Sequence, residues 1–101
     1  MDEALPNVTR MRDYVTPDGV RWHRRGDQVL TGKSLGARLR KSGLRVLHSK
    51  LGELTELSPD QRADFWVGAE IRMAESAQSE FRGVEFRNDS GEYLLVVEEY
   101  C

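Results

Sequence analysis

Apolar residues recur along this chain with two different periods, and the switches between them divide it into elements. Residues 13–25 alternate with period two around a turn. Asp13-Tyr14-Val15-Thr16 runs into Pro17-Asp18-Gly19 and out through Val20-Arg21-Trp22-His23-Arg24-Arg25. Proline presets φ for a tight turn and glycine takes the left-handed position that follows, so a β-hairpin is expected. On its second strand Val20, Trp22 and Arg24 point one way, towards the core because they carry the bulk. Arg21, His23 and Arg25 point the other way.

From about Gly32 to Lys41 the period becomes helical. Leu35 and Leu39 form a short apolar stripe, Thr31 stands at the N-cap position and Gly43 just past the end. Residues 44–57 fit two readings. Leu44, Leu47, Leu51 and Leu54 have helical spacing, yet Leu44-Arg45-Val46-Leu47 also reads as a buried strand. The spacing slightly favours a helical turn or two, although Gly52 weakens a long helix. The strongest helical signal begins at Ser58-Pro59-Asp60-Gln61, a capping box with proline at the first helical position. The helix is expected to run to Phe81 or Arg82 and stop at Gly83. Its apolar arc holds Ala63, Trp66, Val67, Ala69, Ile71, Met73, Ala74, Ala77 and Phe81. Two residues break the pattern: Glu70 lies inside that arc, and Phe65 lies on the polar side. A second hairpin closes the chain, Val84–Arg87 against Glu92 to about Glu98 across Asn88-Asp89-Ser90-Gly91. The last strand has Leu94 and Val96 on one face and Tyr93, Leu95 and Val97 on the other, so both faces need cover.

The expected fold is α+β: two β-hairpins form an antiparallel or mixed sheet, packed by one long helix and a short basic helix. The element order is β-β-α-x-α-β-β, with x the ambiguous segment. At 101 residues the chain is expected to be one domain, residues 12–101, after a flexible lead-in at 1–11. Hydrophobic residues make up 39% and charged residues 32%, too apolar for a disordered chain. The single cysteine, Cys101, allows no internal disulfide. The acidic start lacks the basic and apolar regions of a signal peptide, and no apolar run is long enough to span a bilayer. A cytoplasmic location without membrane contact is therefore expected. With only three lysines and one isoleucine, the composition resembles that of a high-GC bacterium or its phage.

Charge adds an asymmetry. Residues 1–50 carry 11 of the 15 Lys and Arg and 5 of the 17 Asp and Glu, a net +6; the remainder carries −8. Either the halves neutralise each other in the fold or the basic half meets an acidic partner. Chemistry is scarce. Five residues separate Gly26 from Gly32, where a phosphate-binding loop needs four. His23, His48 and Cys101 show no metal-ligand spacing. Glu98 and Glu99 are adjacent on a strand and point to opposite faces, which spoils them as an acid–base pair. No catalytic residue, metal or cofactor is expected.

The candidate partner-binding residues are therefore Arg21, His23 and Arg25 on one strand face and Lys33, Arg38, Arg40 and Lys41 on the first helix. Phe65 either packs under the 44–57 segment or joins them as an exposed aromatic anchor. The first reading is a small non-catalytic binding or regulatory module acting through protein–protein contact, of the inhibitor, immunity or adaptor type. The alternative is a nucleic-acid-binding regulator using the basic hairpin and first helix, in which residues 33–57 resemble a helix-turn-helix in outline. An overall pI near 5.7 weighs against it. If residues 44–57 cover the second face of the last strand, the chain closes on itself. If they do not, a homodimer burying Tyr93, Leu95 and Val97 on both subunits is expected.

Overall fold

The computed structural model describes residues 8–100. It is an α+β domain built on one six-stranded, curled, mixed sheet. After a 3-10 turn at Val8–Arg10, the strands are β1 (Asp13–Val15), β2 (Arg21–Arg24), β3 (Leu44–Lys50), β4 (Glu53–Leu57), β5 (Glu80–Arg87) and β6 (Tyr93–Tyr100). Helix α1 (Gly32–Leu39) lies between β2 and β3. Helix α2 (Arg62–Glu75) lies between β4 and β5 and is entered through a 3-10 turn at Pro59–Gln61. Across the sheet the order is β1-β2-β5-β6-β3-β4; β3 runs parallel to β6 and every other pair is antiparallel. None of the described helices is long and apolar enough to cross a membrane.

The two hairpins form where the turn residues place them. Gly19 takes φ +86, and the Thr16 amide donates to the Val20 carbonyl at 3.0 Å. Trp22 is buried and donates its indole N–H to Thr16 Oγ1 at 3.1 Å, which ties the turn to the core. At the other hairpin Gly91 takes φ +82, and Asn88 Oδ1 accepts from the amides of Ser90 and Glu92. In α1, Leu35 and Leu39 are fully buried as expected.

The segment with two readings is a third hairpin, so the order is β-β-α-β-β-α-β-β and the strand arrangement differs from the one expected. Leu51 and Gly52 form its two-residue turn, both with positive φ, the geometry that matches the twist of paired strands. The leucine spacing misleads because Leu51 is the turn tip and stands 87% exposed. Leu47 and Leu54 face one side of the sheet, Leu44, Val46 and Leu57 the other. The helix-turn-helix outline has no second helix.

Helix α2 ends at Glu75, not near Phe81; Ser76 is already extended, at φ −143. Phe81 belongs to β5. Gly83 is no helix stop: a Cβ there would lie 2.4 Å from Leu35 Cδ1, so the glycine admits α1 against the sheet. The buried face of α2 is also rotated from the expected arc. Arg62, Trp66 and Ala69 are buried, with Phe65 and Met73 packed beside them, while Val67 and Ile71 are 53% and 52% exposed. Glu70 is exposed and Phe65 faces in, so both apparent anomalies belonged to the expected arc.

Two apolar clusters lie on the two faces of the sheet. On the helix face, α1 and α2 close over Val46, Phe81, Leu95 and Val97. On the other, Trp22, Leu47, Val84, Phe86, Leu94 and Val96 enclose Val8, with Met11 packed alongside. Val8 and Met11 therefore belong to the core and not to a lead-in. Residues 1–7 and Cys101 lie outside the described residues.

Candidate binding groove

Strand register sets a row of side chains across one end of the helix face. Asp13 pairs with His23, His23 with Arg87, Arg87 with Tyr93 and Tyr93 with Leu44. His23, Arg87 and Tyr93 are exposed at this end. The C-terminal end of α1 brings Arg38 and Lys41 beside the row, where their charge also suits the negative end of the helix dipole.

The centre of this site is Glu85 on β5. Its carboxylate pairs with Arg38, and Arg25 Nη1 lies 3.6 Å from its other oxygen. The Arg25 guanidinium also sits 4.7 Å above the Tyr93 ring, a cation–π contact that holds it flat against the sheet. Two open clefts meet here. One, of about 290 Å³, lies between Arg25, Arg38, Lys41, Leu44, Glu85 and Tyr93. The other, of about 780 Å³, runs past His23, Arg25, Arg38, Arg87 and Asp89. His23 is held between two carboxylates, with Nδ1 at 2.9 Å from Asp13 and Nε2 at 3.4 Å from Asp89. Arg24 points to the opposite face with Trp22 and donates to the carbonyls of Thr9 at 2.7 Å and Met11 at 3.3 Å.

Of the residues expected to bind a partner, Arg25, Arg38, Lys41 and His23 line these clefts. Arg21, Lys33 and Arg40 are exposed but line neither. Phe65 is no exposed anchor: it is half-buried, edge-on to His48 at 4.7 Å and to Phe81 at 6.0 Å. Leu95 and Val97 are fully buried under the helices, so they offer no face for self-association, while Tyr93 is the ring beneath Arg25. Sequence reasoning missed Glu85 and Arg87 as members of the site. Their turn-flanked strand was legible, but the approach of α1 to β5 was not.

A second polar cluster lies at the other end of the same sheet face. Glu99 has a side chain only 3% exposed and gathers His48 Nε2 at 2.9 Å, Arg72 Nε at 3.1 Å and Lys50 Nζ at 3.5 Å. Burial pulls the His48 pKa below the ordinary histidine value; Glu99 opposes this, while Arg72 and Lys50 reinforce it. Neutral His48 therefore donates its Nε2 proton to Glu99. With two cations, Arg72 and Lys50, and the neutral His48 donor around it, Glu99 is fully engaged in holding β3, β6 and α2 together. Among the described residues no group of three or more His, Cys, Asp or Glu side chains is placed to hold a metal.

A scan against protein-family models found no match, and searches of curated proteins and of solved structures found none.

Proposed function

We propose that the protein is a non-catalytic binding module that takes an acidic segment of a partner protein across the Arg25–Arg38–Lys41–Arg87 groove. The observation that carries this reading is the convergence of those four cations, from three places in the chain, around two open clefts, the smaller of them lined by Tyr93. Glu85 neutralises only part of that charge and fixes Arg25 and Arg38 in place, so little side-chain freedom is lost when a partner binds. An aromatic ring flanked by arginines suits a desolvated contact at the centre of an interface.

Nucleic acid is the second reading, favoured by the exposed Tyr93 ring between Arg25 and Arg87, on which a base could stack. Carboxylates weigh against it. Glu85, Asp89 and Asp13 lie among the cations, and the chain as a whole carries −2. A run of phosphates would meet those acids, whereas a short peptide can place its acidic side chains between them. A cytoplasmic protein of inhibitor, immunity or adaptor type, from a bacterium or phage, fits this size and this exposed basic groove.

Fluorescence anisotropy with an acidic peptide and an oligonucleotide of equal charge tests the choice. The peptide is expected to stay bound from low to physiological salt while the oligonucleotide is released. The double variant R25E/K41E should abolish peptide binding and still fold, because both side chains are exposed. Tight oligonucleotide binding at physiological salt would promote the second reading.

A further inference from the structure

Arg62, the first residue of α2, is only 5% exposed. Its Nε donates to the Leu57 carbonyl at 3.2 Å, and beyond that bond the guanidinium has no ion pair or hydrogen bond to any other described residue. Glu56 attracts it through space but is already claimed: Arg45 grips it through Nε at 3.0 Å and Nη2 at 2.9 Å. Burial works against the Arg62 charge, and an arginine does not shed its proton to escape. The guanidinium nitrogens that make no bond are not sealed from solvent, and an anion bound beside them would supply the counter-charge they lack.

Arg62 also lines an open cleft of about 650 Å³, a size typical of small-molecule sites. The cleft shares Ser42, Gly43, Leu44 and Tyr93 with the smaller basic cleft and extends from them to Pro59 and Arg62. Its apolar wall is formed by Leu44, Pro59, Tyr93 and an edge of Trp22; Glu56 and Glu92 stand at its rim.

We propose that this cleft binds a monocarboxylate carried on an apolar body, with the carboxylate on the Arg62 guanidinium and the body against Leu44, Pro59 and Tyr93. The planar guanidinium presents donors in the fork that matches a carboxylate. One negative charge balances one unpaired cation. Arg45 also lines the cleft but is held by Glu56 and Asp18, so a dianionic phosphate would carry one charge more than Arg62 balances, beside the Glu92 carboxylate. The apolar wall excludes a ligand that is polar throughout. Such a carboxylate comes either from a free organic acid or from the C-terminus of a peptide ending in an apolar residue.

NMR titration of the wild-type protein tests this with 3-phenylpropionate, 3-phenylpropanamide, phenyl phosphate, and a tetrapeptide ending in phenylalanine as free acid and as amide. The acids should shift the Trp22 indole and Arg62 Nε resonances and bind at least about tenfold more tightly than the matching amides, since a charge-assisted hydrogen bond is lost. Tighter binding of the peptide acid names a chain terminus as the source; tighter binding of phenylpropionate names a free acid. Equal affinity of acid and amide, no shift of those two resonances, or phenyl phosphate binding as tightly as the acid would each overturn the assignment. The variant R62Q should lose binding. Because Arg62 also holds Leu57, S42W serves as the second variant: Ser42 is an exposed residue at the cleft, and a bulky ring there blocks the mouth without touching α2. Undiminished acid binding by folded S42W would count against the proposal. K41E, at a residue that lines the basic groove and not this cleft, should leave carboxylate binding unchanged, so the two sites fail separately.

Discussion

His48 and Glu99 stand 51 residues apart in the chain and are joined by a 2.9 Å hydrogen bond across the parallel β3–β6 pair. That pair is the one parallel junction in the sheet, and the bond brings α2 into it through Arg72.

The bond gives the fold a pH dependence whose sign follows from burial. His48 has a folded-state pKa below its unfolded value, for desolvation outweighs the attraction of Glu99, and Arg72 and Lys50 add to the depression. Thr55, opposite on β4, and the Phe65 ring complete its surroundings and carry no charge. The unfolded chain therefore takes up a proton at a pH where the native protein does not. The resulting stability is present above the unfolded histidine pKa and is lost as pH falls below about 6.5. Urea midpoints should fall between about pH 7.5 and pH 5, and H48Q, which keeps a donor near Glu99, should show a flatter profile over that range. An unchanged slope in H48Q would assign the acid sensitivity to other groups.

Gly36 marks the closest approach of the two helices. A Cβ placed on it would fall 2.4 Å from the indole nitrogen of Trp66, a side chain only 2% exposed and unable to swing away. Replacing a helical glycine by alanine ordinarily gains about 1 kcal/mol. Overpacking outweighs that gain here, and G36A is expected to destabilise the protein by about 1–2 kcal/mol net. Thermal or urea unfolding reads the sign directly.

The rotation of α2 predicts opposite outcomes at neighbouring positions. Val67 and Ile71 lie on the exposed face, so V67Q and I71Q should each change stability by less than about 0.5 kcal/mol. Phe65 packs between His48 and Phe81, and F65A should cost about 2 kcal/mol or more. Unfolding curves for the three variants in one buffer test this. The reverse order would require the face expected from periodicity.

Light scattering at micromolar concentration, with Cys101 reduced, should give the mass of a single 11.6 kDa chain. The motivation is that Leu94, Leu95, Val96 and Val97 are all fully buried within this one chain, so β6 has no apolar face left to share. A stable dimer would need another surface, and would show as a doubled mass that persists with reductant.

Local features were legible in the sequence because their causes lie within a few residues. The Pro17-Asp18-Gly19 turn, the α1 stripe of Leu35 and Leu39, the Ser58–Gln61 cap and the Asn88–Gly91 turn each rest on backbone geometry that neighbouring side chains enforce. The basic character of Arg25, Arg38 and Lys41 was visible in the same way. What required the tertiary structure was every decision between two patterns of similar local merit. Leucines at 44, 47, 51 and 54 suit a helix or a hairpin equally. Only pairing of β3 with β6, more than forty residues away in sequence, selects the hairpin and leaves Leu51 at its tip. The α2 periodicity allowed more than one inward face. The sheet selects the one that buries Phe65, Trp66 and Ala69 and leaves Val67 out, because that face meets Phe81 and the glycine at position 36. Gly83 looked like a helix stop and is a gap for Leu35. Glu85 between Arg25 and Arg38, and Arg62 in its cleft, come from contacts between elements distant in sequence; no spacing within one element encodes them.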